Sequence, residues 1–278
     1  MRLFAVLLLL ALSACAARPL PGMREPIEPG TFLLQDGTPI GPEHLAAATA
    51  EARYVLVGEG HDVACDHDAQ AAVVRALAGR EPAVGLEMVS FERQPVLDRF
   101  AAGELSLAEL DEALSWRERW GVPFALYQPI FAAAAEAGLP VVALNLPAEA
   151  VRRVSREGPG ALPQEVPEIL PPPPEQEPML RRAFDAHGQG SDEAFERFVR
   201  IQSLWDTAMA QGAVASSRVR NRPVIVLAGA GHVTNGWGIG HRLRLLDPGA
   251  GVVEVMPWRG EEPIDPAQAA LFFYCPAK

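Results

Sequence analysis

Two histidines follow glycine-containing turns at the ends of two similar apolar segments. The segments VLVGEGH and VLAGAGH both end in Gly-x-Gly-His, which places His61 and His232 directly after runs of strand-forming residues. Glycine permits sharp turns and a close approach of the backbone to a ligand, so both loops can present an imidazole beside free amide groups. An imidazole in this setting can bind a metal ion or act as a general acid or base.

Carboxylate and amide side chains lie at the ends of the same kind of segment. Glu59 precedes His61 by two residues, Glu87 lies in AVGLEM and Asn145 lies in VVALNLP. Burying an unpaired carboxylate is costly, so Glu87 at the rim of an apolar sheet needs a partner. Two histidines with one or two glutamates suit a divalent metal ion or an acid/base pair that acts on a bound substrate.

The apolar segments themselves predict the strands of a mainly parallel sheet. YVLVGEGH, AVGLEM, VVALNLP and VIVLAGAGH are continuous apolar runs, as is typical of strands buried on both faces, and GVVEVMPW and LFFYCP predict two more strands. Helical patterns such as DHDAQAAVVRALAG and SLAELDEALSW separate the runs, so we predict an α/β domain flanked by helices. Because ligands bind at the carboxyl ends of parallel strands, we expect one crevice to contain Glu59, His61, Glu87, Asn145 and His232.

A long helix predicted from about residue 191 to residue 217 carries polar and apolar residues on different faces. In QSLWDTAMA, Gln202 and Asp206 are four residues apart and are expected to line the crevice or to close this helix onto the sheet. Trp205 and Met209 have the same spacing on another face, where we expect core packing.

Acidic residues and a histidine follow His61 at the start of the next predicted helix. Acids in a first helical turn are common because they complement the helix dipole. We therefore expect an exposed helix face, rather than a metal cluster, at Asp62, Asp66, His67 and Asp68.

The first residues predict export. MRLFAVLLLLALSAC has a charged start and an apolar run too short to span a bilayer, so residues 1–14 are interpreted as a signal peptide. Leu-Ser-Ala-Cys at its end resembles the bacterial lipobox, in which the cysteine, here Cys15, is lipidated. The alternative is an ordinary signal peptide with a cysteine near its cleavage site. Acyl chains would anchor the protein to a membrane, with the proline-rich residues 15–30 as a tether.

The remaining chain divides into an α/β domain and an insertion. Residues 31–156 and 219–278 contain the predicted strands, whereas residues 157–218 begin with a segment whose proline density excludes a regular helix. Helical patterns follow the prolines. We therefore predict that residues 157–218 form a Pro-rich loop and a smaller helical subdomain.

The charge composition of the chain excludes one class of binding partner. The formal net charge of −11 over 278 residues argues against a nucleic-acid partner, because phosphate binding depends on clustered positive charge.

If Cys15 carries lipid, Cys65 and Cys275 remain, and an oxidising compartment would allow them to form one disulfide. The sequence does not show whether they meet, and we expect them to be unpaired.

Five motifs occur in an order that resembles a known family. GEGHD, GLEM, ALNLP, QSLWDTAMA and AGAGHV lie between residues 54 and 233 and resemble the ChaN-like haem-binding uptake lipoproteins, which belong with the Tiki and erythromycin-esterase-like proteins to one broader superfamily. The lipobox fits this resemblance. It implies an exported bacterial lipoprotein of the outer membrane or facing the periplasm, which binds haem for iron uptake and sandwiches it in a homodimer.

Haem ligation requires a Tyr, His, Met or Cys side chain aimed at the iron, with apolar side chains around the macrocycle. Within the motif region the candidate iron ligands are His61, His232 and Tyr127, with His187 and Met209 from the predicted insertion. The other polar residues expected to line the haem site are Glu59, Glu87, Asn145, Gln202 and Asp206. Our leading expectation is thus a binding protein without catalytic residues.

The resemblance also supports two other functions. The Tiki branch implies a metal-dependent hydrolase, in which His61, Glu87 and His232 bind zinc or manganese and Glu59 is the general base. The esterase branch implies a histidine base without a metal ion. A third alternative is a scaffold that keeps the crevice and binds only a partner protein.

Overall fold

The computed structural model describes residues 27–166, 168–186 and 190–277. Within these residues one sheet contains eight strands, and their bounds are β1 Phe32–Leu34, β2 Pro39–Ile40, β3 Ala52–Glu59, β4 Ala83–Ser90, β5 Val141–Asn145, β6 Val224–Gly229, β7 Gly251–Trp258 and β8 Leu271–Tyr274. Their spatial order is β2-β1-β8-β7-β3-β6-β4-β5. Neighbouring strands from β8 to β5 are parallel, whereas β1 is antiparallel to β8 and to β2. The predicted α/β fold with a mainly parallel sheet is confirmed.

The six predicted strands are β3 to β8, and the sequence analysis missed only the short β1 and β2. The helices of the described residues are α1 Pro42–Ala48, α2 Ala64–Leu77, α3 Gln94–Ala101, α4 Leu107–Leu114, α5 Trp116–Arg119, α6 Phe124–Glu136, α7 Ala148–Glu157, α8 Glu177–Ala186, α9 Asp192–Arg220, α10 Ala230–Val233 and α11 Ile239–Leu246. Ser106 caps α4, since its side chain and that of Glu109 form a reciprocal capping box.

The two faces of the sheet are covered by different helices. Val55 and Val57 of β3 belong to the core beneath α2 and α6, whereas Leu56 points to the opposite face and joins the core beneath α9 and α11. This alternation follows from the two-residue period of a strand. Side chains at the carboxyl ends of the strands therefore also divide between the two faces.

The segment predicted as an insertion contributes to the second face. Met209 and Ala213, in the second half of α9, are buried against the sheet together with Leu144 of β5. The helix thus both reaches the sheet and leads back into β6. The division of the chain into two units stays a prediction.

Cys65, in the first turn of α2, and Cys275, directly after β8, form a disulfide across a sequence separation of 210 residues. Their Cα atoms are 5.8 Å apart. The expectation of unpaired cysteines was wrong, because β8 lies parallel to β7 and delivers Cys275 to the same end of the sheet at which α2 begins.

Several sequence predictions fall outside the part of the chain that the structure describes: the signal peptide of residues 1–14, the lipidated Cys15 with the tether as far as residue 26, and the candidate ligand His187. None of the helices among the described residues combines the length and the apolar character needed to cross a membrane.

Replacing both bridge cysteines, Cys65→Ser with Cys275→Ser, is expected to lower the free energy of unfolding by about 2–5 kcal/mol, because the bridge closes a long loop of the unfolded chain. Chemical denaturation measures the change, and Cys15→Ser is the matched control that leaves the bridge intact. Non-reducing peptide mapping should recover the two peptides joined. Two free thiols in that map would contradict the bridge.

Candidate functional site

The carboxyl ends of four neighbouring strands bring the predicted polar residues together. Glu59 of β3 is in register with Gly229 of β6, and Asn145 of β5 is in register with Ser90 of β4. The amide of Asn145 donates a hydrogen bond of 2.9 Å to the carbonyl oxygen of Glu87. His61 and His232 follow in the loop after β3 and in α10.

A first group of side chains, which we call the Glu59 cluster, consists of Glu59, His61, His67 and Tyr127. The Tyr127 hydroxyl donates to Glu59 Oε1 at 2.6 Å, and His61 Nδ1 lies 2.8 Å from the same oxygen. His67 Nδ1 lies 3.4 Å from the other carboxylate oxygen, Oε2. Burial alone would raise the pKa of Glu59, but the hydrogen bonds from His61, His67 and Tyr127 outweigh it and lower that pKa to about 2.

Glu59 raises the pKa values of the two buried side chains of this cluster, Tyr127 and His67. Burial raises the pKa of the Tyr127 hydroxyl, and the charge of Glu59 raises it further. For His67, burial lowers the pKa, but its contact with Glu59 outweighs burial and the pKa is raised. Tyr127 thus remains a neutral donor whose hydroxyl is already engaged inside the protein.

His61 is the accessible member of the Glu59 cluster. Its side chain is 43% exposed, whereas that of Glu59 is fully buried. The hydrogen bond to Glu59 raises the pKa of His61 and fixes Nδ1, and no polar partner of Nε2 lies within the described residues. The indole of Trp120 packs edge-on against the imidazole, with ring centroids 4.9 Å apart.

Asp66 and His67 were expected on an exposed helix face, and that expectation was wrong. Both are fully buried: Asp66 accepts the backbone N–H of Gly60 at 2.7 Å and pairs with both terminal guanidinium nitrogens of Arg259. His67 Nε2 lies 3.1 Å from the carbonyl oxygen of His61. These two side chains hold the Gly-Glu-Gly-His loop in place. Asp62 and Asp68 are exposed, as predicted.

A second group, the Glu87 cluster, lies on the α9 side and consists of Glu87, Asp206, His232 and Arg242. His232 Nδ1 lies 2.7 Å from Asp206 Oδ1, and its Nε2 lies 3.6 Å from Glu87 Oε1. The fully buried Arg242 approaches Asp206 Oδ2 at 3.3 Å. Burial lowers the pKa of His232, but the charges of Glu87 and Asp206 outweigh it and raise that pKa to about 9.

Gly229 lies between the two clusters at the end of β6. Its N–H donates to Glu87 Oε2 at 2.6 Å, and a Cβ atom at this position would lie 2.8 Å from Cε1 of the His61 ring. Only glycine lets the imidazole pack so close to the strand end. Gly229, the first glycine of the second Gly-x-Gly-His motif, therefore makes room for the ring of His61, the histidine of the first motif.

A cleft of about 500 Å³ adjoins the clusters beside β4 and β5. Its wall includes Glu87 and Asn145. Three tryptophans also line it, namely Trp116 at the start of α5, Trp120 directly after α5 and Trp205 of α9, as do the arginines Arg93, Arg119 and Arg152. The cleft thus combines large apolar side chains with positive charge next to the strand ends.

The alternative metal set is not supported by this arrangement. Among the described residues, no three His, Cys, Asp or Glu side chains are grouped to hold a metal ion. His232 Nδ1 lies 2.7 Å from Asp206 Oδ1 and its Nε2 faces Glu87 Oε1 at 3.6 Å, whereas His61 is held by Glu59. The two histidines belong to separate carboxylate clusters.

The structure separates the other predicted site residues. Asp206 belongs to the Glu87 cluster, whereas Gln202 is half-buried and takes no part in either cluster among the described residues. Trp205 is half-buried and lines the cleft, and Met209 is buried in the core as predicted. The sequence analysis missed Arg242 and Arg259, whose carboxylate partners lie far away in the sequence.

A family profile described as haem-binding uptake, Tiki superfamily, ChaN matches residues 45–243, more than half of the chain. Several solved structures share the fold. A structure of ChaN from Campylobacter jejuni with cofacial haem has a TM-score of 0.70 at 21% identity, covering 87% of this chain and 95% of that one. The type III effector HopBA1 has a TM-score of 0.51 at 14% identity, covering 86% and 94%. No curated protein matches the chain.

The Glu87 cluster predicts a pH-dependent stability. Because the pKa of His232 is about 9 in the folded chain and 6.5 in the ordinary imidazole, its contribution is fully present below pH 6.5 and is lost as the pH rises through 9. The shift corresponds to about 3 kcal/mol. His232→Gln should therefore flatten the fall in unfolding free energy between pH 6.5 and 10, measured by chemical denaturation. The exposed His44→Gln is the control, and an unchanged slope in His232→Gln would refute the assignment.

Proposed function

Because the chain belongs to the haem-binding uptake family of the Tiki superfamily that includes ChaN, we propose that it binds haem in the tryptophan-lined cleft. The observation that carries this proposal is the position of the cleft at the strand ends, where Trp120 of its wall packs edge-on against the accessible imidazole of His61. A flat macrocycle needs large apolar side chains around it and one ligand aimed at its iron.

The residues of the cleft fit such a ligand. Trp116, Trp120 and Trp205 supply aromatic surface, and Leu146 and Val151 add aliphatic surface. A haem bound there would bury apolar area against these side chains, which stabilises binding in proportion to the area removed from water. The polar groups of the cleft lie beside this surface.

His61 is the ligand that we propose for the haem iron. A ligating histidine characteristically donates its other ring N–H to a carboxylate, as His61 Nδ1 does to Glu59, which leaves Nε2 for the metal. His232 is enclosed between two carboxylates, and the Tyr127 hydroxyl is bonded to Glu59. Met209 lies in the core. Of the described candidates, His61 alone combines exposure with an unpartnered ring nitrogen.

Protonation of His61 opposes this role. Iron binds the neutral imidazole, whereas the hydrogen bond to Glu59 raises the pKa of His61 and favours the charged form. Haem affinity should therefore increase as the pH rises through the pKa of His61. The same hydrogen bond orients the ring, so Glu59 both holds the ligand and sets the pH at which it becomes available.

We include export and anchoring in the proposal. The disulfide between Cys65 and Cys275 is typical of an oxidising compartment, which supports a secreted protein with a role in haem or iron uptake. The lipobox-like Leu-Ser-Ala-Cys supports a membrane anchor on Cys15. The related ChaN structure binds haem cofacially, and by analogy we include a homodimer that sandwiches haem.

A metal-free hydrolase is the second candidate function. The observation that favours it is the Glu59–His61 pair, in which a buried carboxylate orients a partly exposed imidazole as in acid/base catalysis. Hydrolysis of a model ester by the native chain, lost in both Glu59→Gln and His61→Ala, would support this second function, and no hydrolysis would count against it.

Addition of haem to the purified full chain is expected to shift the Soret band, and His61→Ala should weaken binding by about tenfold or more or change the spectrum. Absorbance titration at several pH values measures both effects. The exposed His44→Ala is the matched control, since His44 lies on α1 and, among the described residues, its side chain contacts Glu43. Haem binding by His61→Ala with an unchanged spectrum would exclude His61 as ligand, and no binding by the native chain would refute the function.

Lipidation at Cys15 predicts that the chain produced in a bacterial host incorporates labelled palmitate and partitions with membranes. Cys15→Ser should abolish the label while leaving haem binding intact, because the described residues that line the cleft lie between Glu87 and Trp205. A labelled Cys15→Ser chain, or an unlabelled native chain, would contradict the anchor.

A further inference from the structure

We propose that Arg93 and Arg152 bind the two propionate carboxylates of haem at the tryptophan-lined cleft. This inference rests on the proposed function. It adds that the cleft recognises the propionate end of the haem. Arginine presents a planar fork of N–H donors that matches a carboxylate in two parallel hydrogen bonds.

The two arginines are carried by elements that follow neighbouring parallel strands. Arg93 ends the short turn Phe91–Arg93 directly after β4, and Arg152 lies in the second turn of α7, which follows β5. Because β4 and β5 are paired in parallel, both elements begin at the same edge of the sheet. Both side chains line the cleft that contains the three tryptophans.

The face of α7 that meets the cleft is defined by helical spacing. Ala148, Val151 and Arg152, at positions i, i+3 and i+4, all line the cleft. Arg153 lies on another face, where its Nε donates to the carbonyl oxygen of Ala161 at 3.4 Å. The chain therefore offers two adjacent arginines, of which one faces the cleft and the other does not.

The guanidinium group of Arg93 has no carboxylate partner among the described residues. Its Nε atom is buried without a hydrogen-bond partner among the described residues, and its Nη2 donates one long hydrogen bond of 3.4 Å to Ser115 Oγ. A ligand carboxylate would give this guanidinium a charged acceptor, which binds it more strongly than the distant Ser115 hydroxyl does. The guanidinium group of Arg93 is therefore available to bind an anionic ligand.

The acidic groups around the cleft leave these two arginines available. Glu92 pairs with Arg119, and the Glu87 carboxylate is occupied by the N–H of Gly229 and faces His232. Glu118, also at the cleft, is exposed to solvent. Neither Arg93 nor Arg152 forms an ion pair within the described residues, although the whole chain carries a net charge of −11.

The test compares haem with haem dimethyl ester, which keeps the iron and the macrocycle but has no carboxylates. We expect the native chain to bind haem more tightly than the ester. Arg93→Gln and Arg152→Gln should each weaken haem binding about tenfold, and the double variant should bind haem and ester alike. Soret titration and quenching of tryptophan fluorescence measure the affinities, and Arg153→Gln is the matched control.

Three outcomes decide the inference. Equal affinity of the native chain for haem and ester would overturn it while leaving the proposed function intact, and this comparison requires no variant to fold. An effect of Arg153→Gln as large as that of Arg152→Gln would overturn the specific role of Arg152. If the native chain binds neither ligand, the proposed function fails and the arginine sites fail with it.

Discussion

The carboxylate of Glu59 is the buried charge around which this end of the sheet is organised. Leaving it without partners would cost far more than the marginal stability of a domain allows. Its partners come from three places: His61 from the loop after β3, His67 from α2 and Tyr127 from α6. Because each must lie within reach of one carboxylate, the positions of two helices and one loop are fixed together.

The two Gly-x-Gly-His segments illustrate how similar sequences acquire different roles. Both histidines are oriented through Nδ1 by a buried carboxylate, Glu59 in one case and Asp206 in the other. The second imidazole also faces Glu87 and is enclosed, whereas the first is partly exposed beside Trp120. One histidine thus acts as a structural cation, and the other is available to a ligand.

The sequence predicts well those features that depend on local pattern. Continuous apolar runs identify β3 to β8, and the position of polar residues at their ends places Glu59, Glu87 and Asn145 at one edge. The burial of Asp66 could not be predicted, because its partner Arg259 is 193 residues away and acids are common in any first helical turn. The disulfide was missed for the same reason, since spacing along the chain does not reveal which strands become neighbours.

The anchors of the Gly-Glu-Gly-His loop have a consequence for the order of folding. The loop is synthesised early, but Arg259 and Cys275, which fix it through Asp66 and Cys65, are synthesised about two hundred residues later. The parallel core of β3, β6, β4 and β5 can pair before these contacts exist, because none of its strands includes them. Contacts of such high sequence separation form slowly. The loop that carries the accessible imidazole therefore gains these two anchors only after the distant end of the chain has folded onto it.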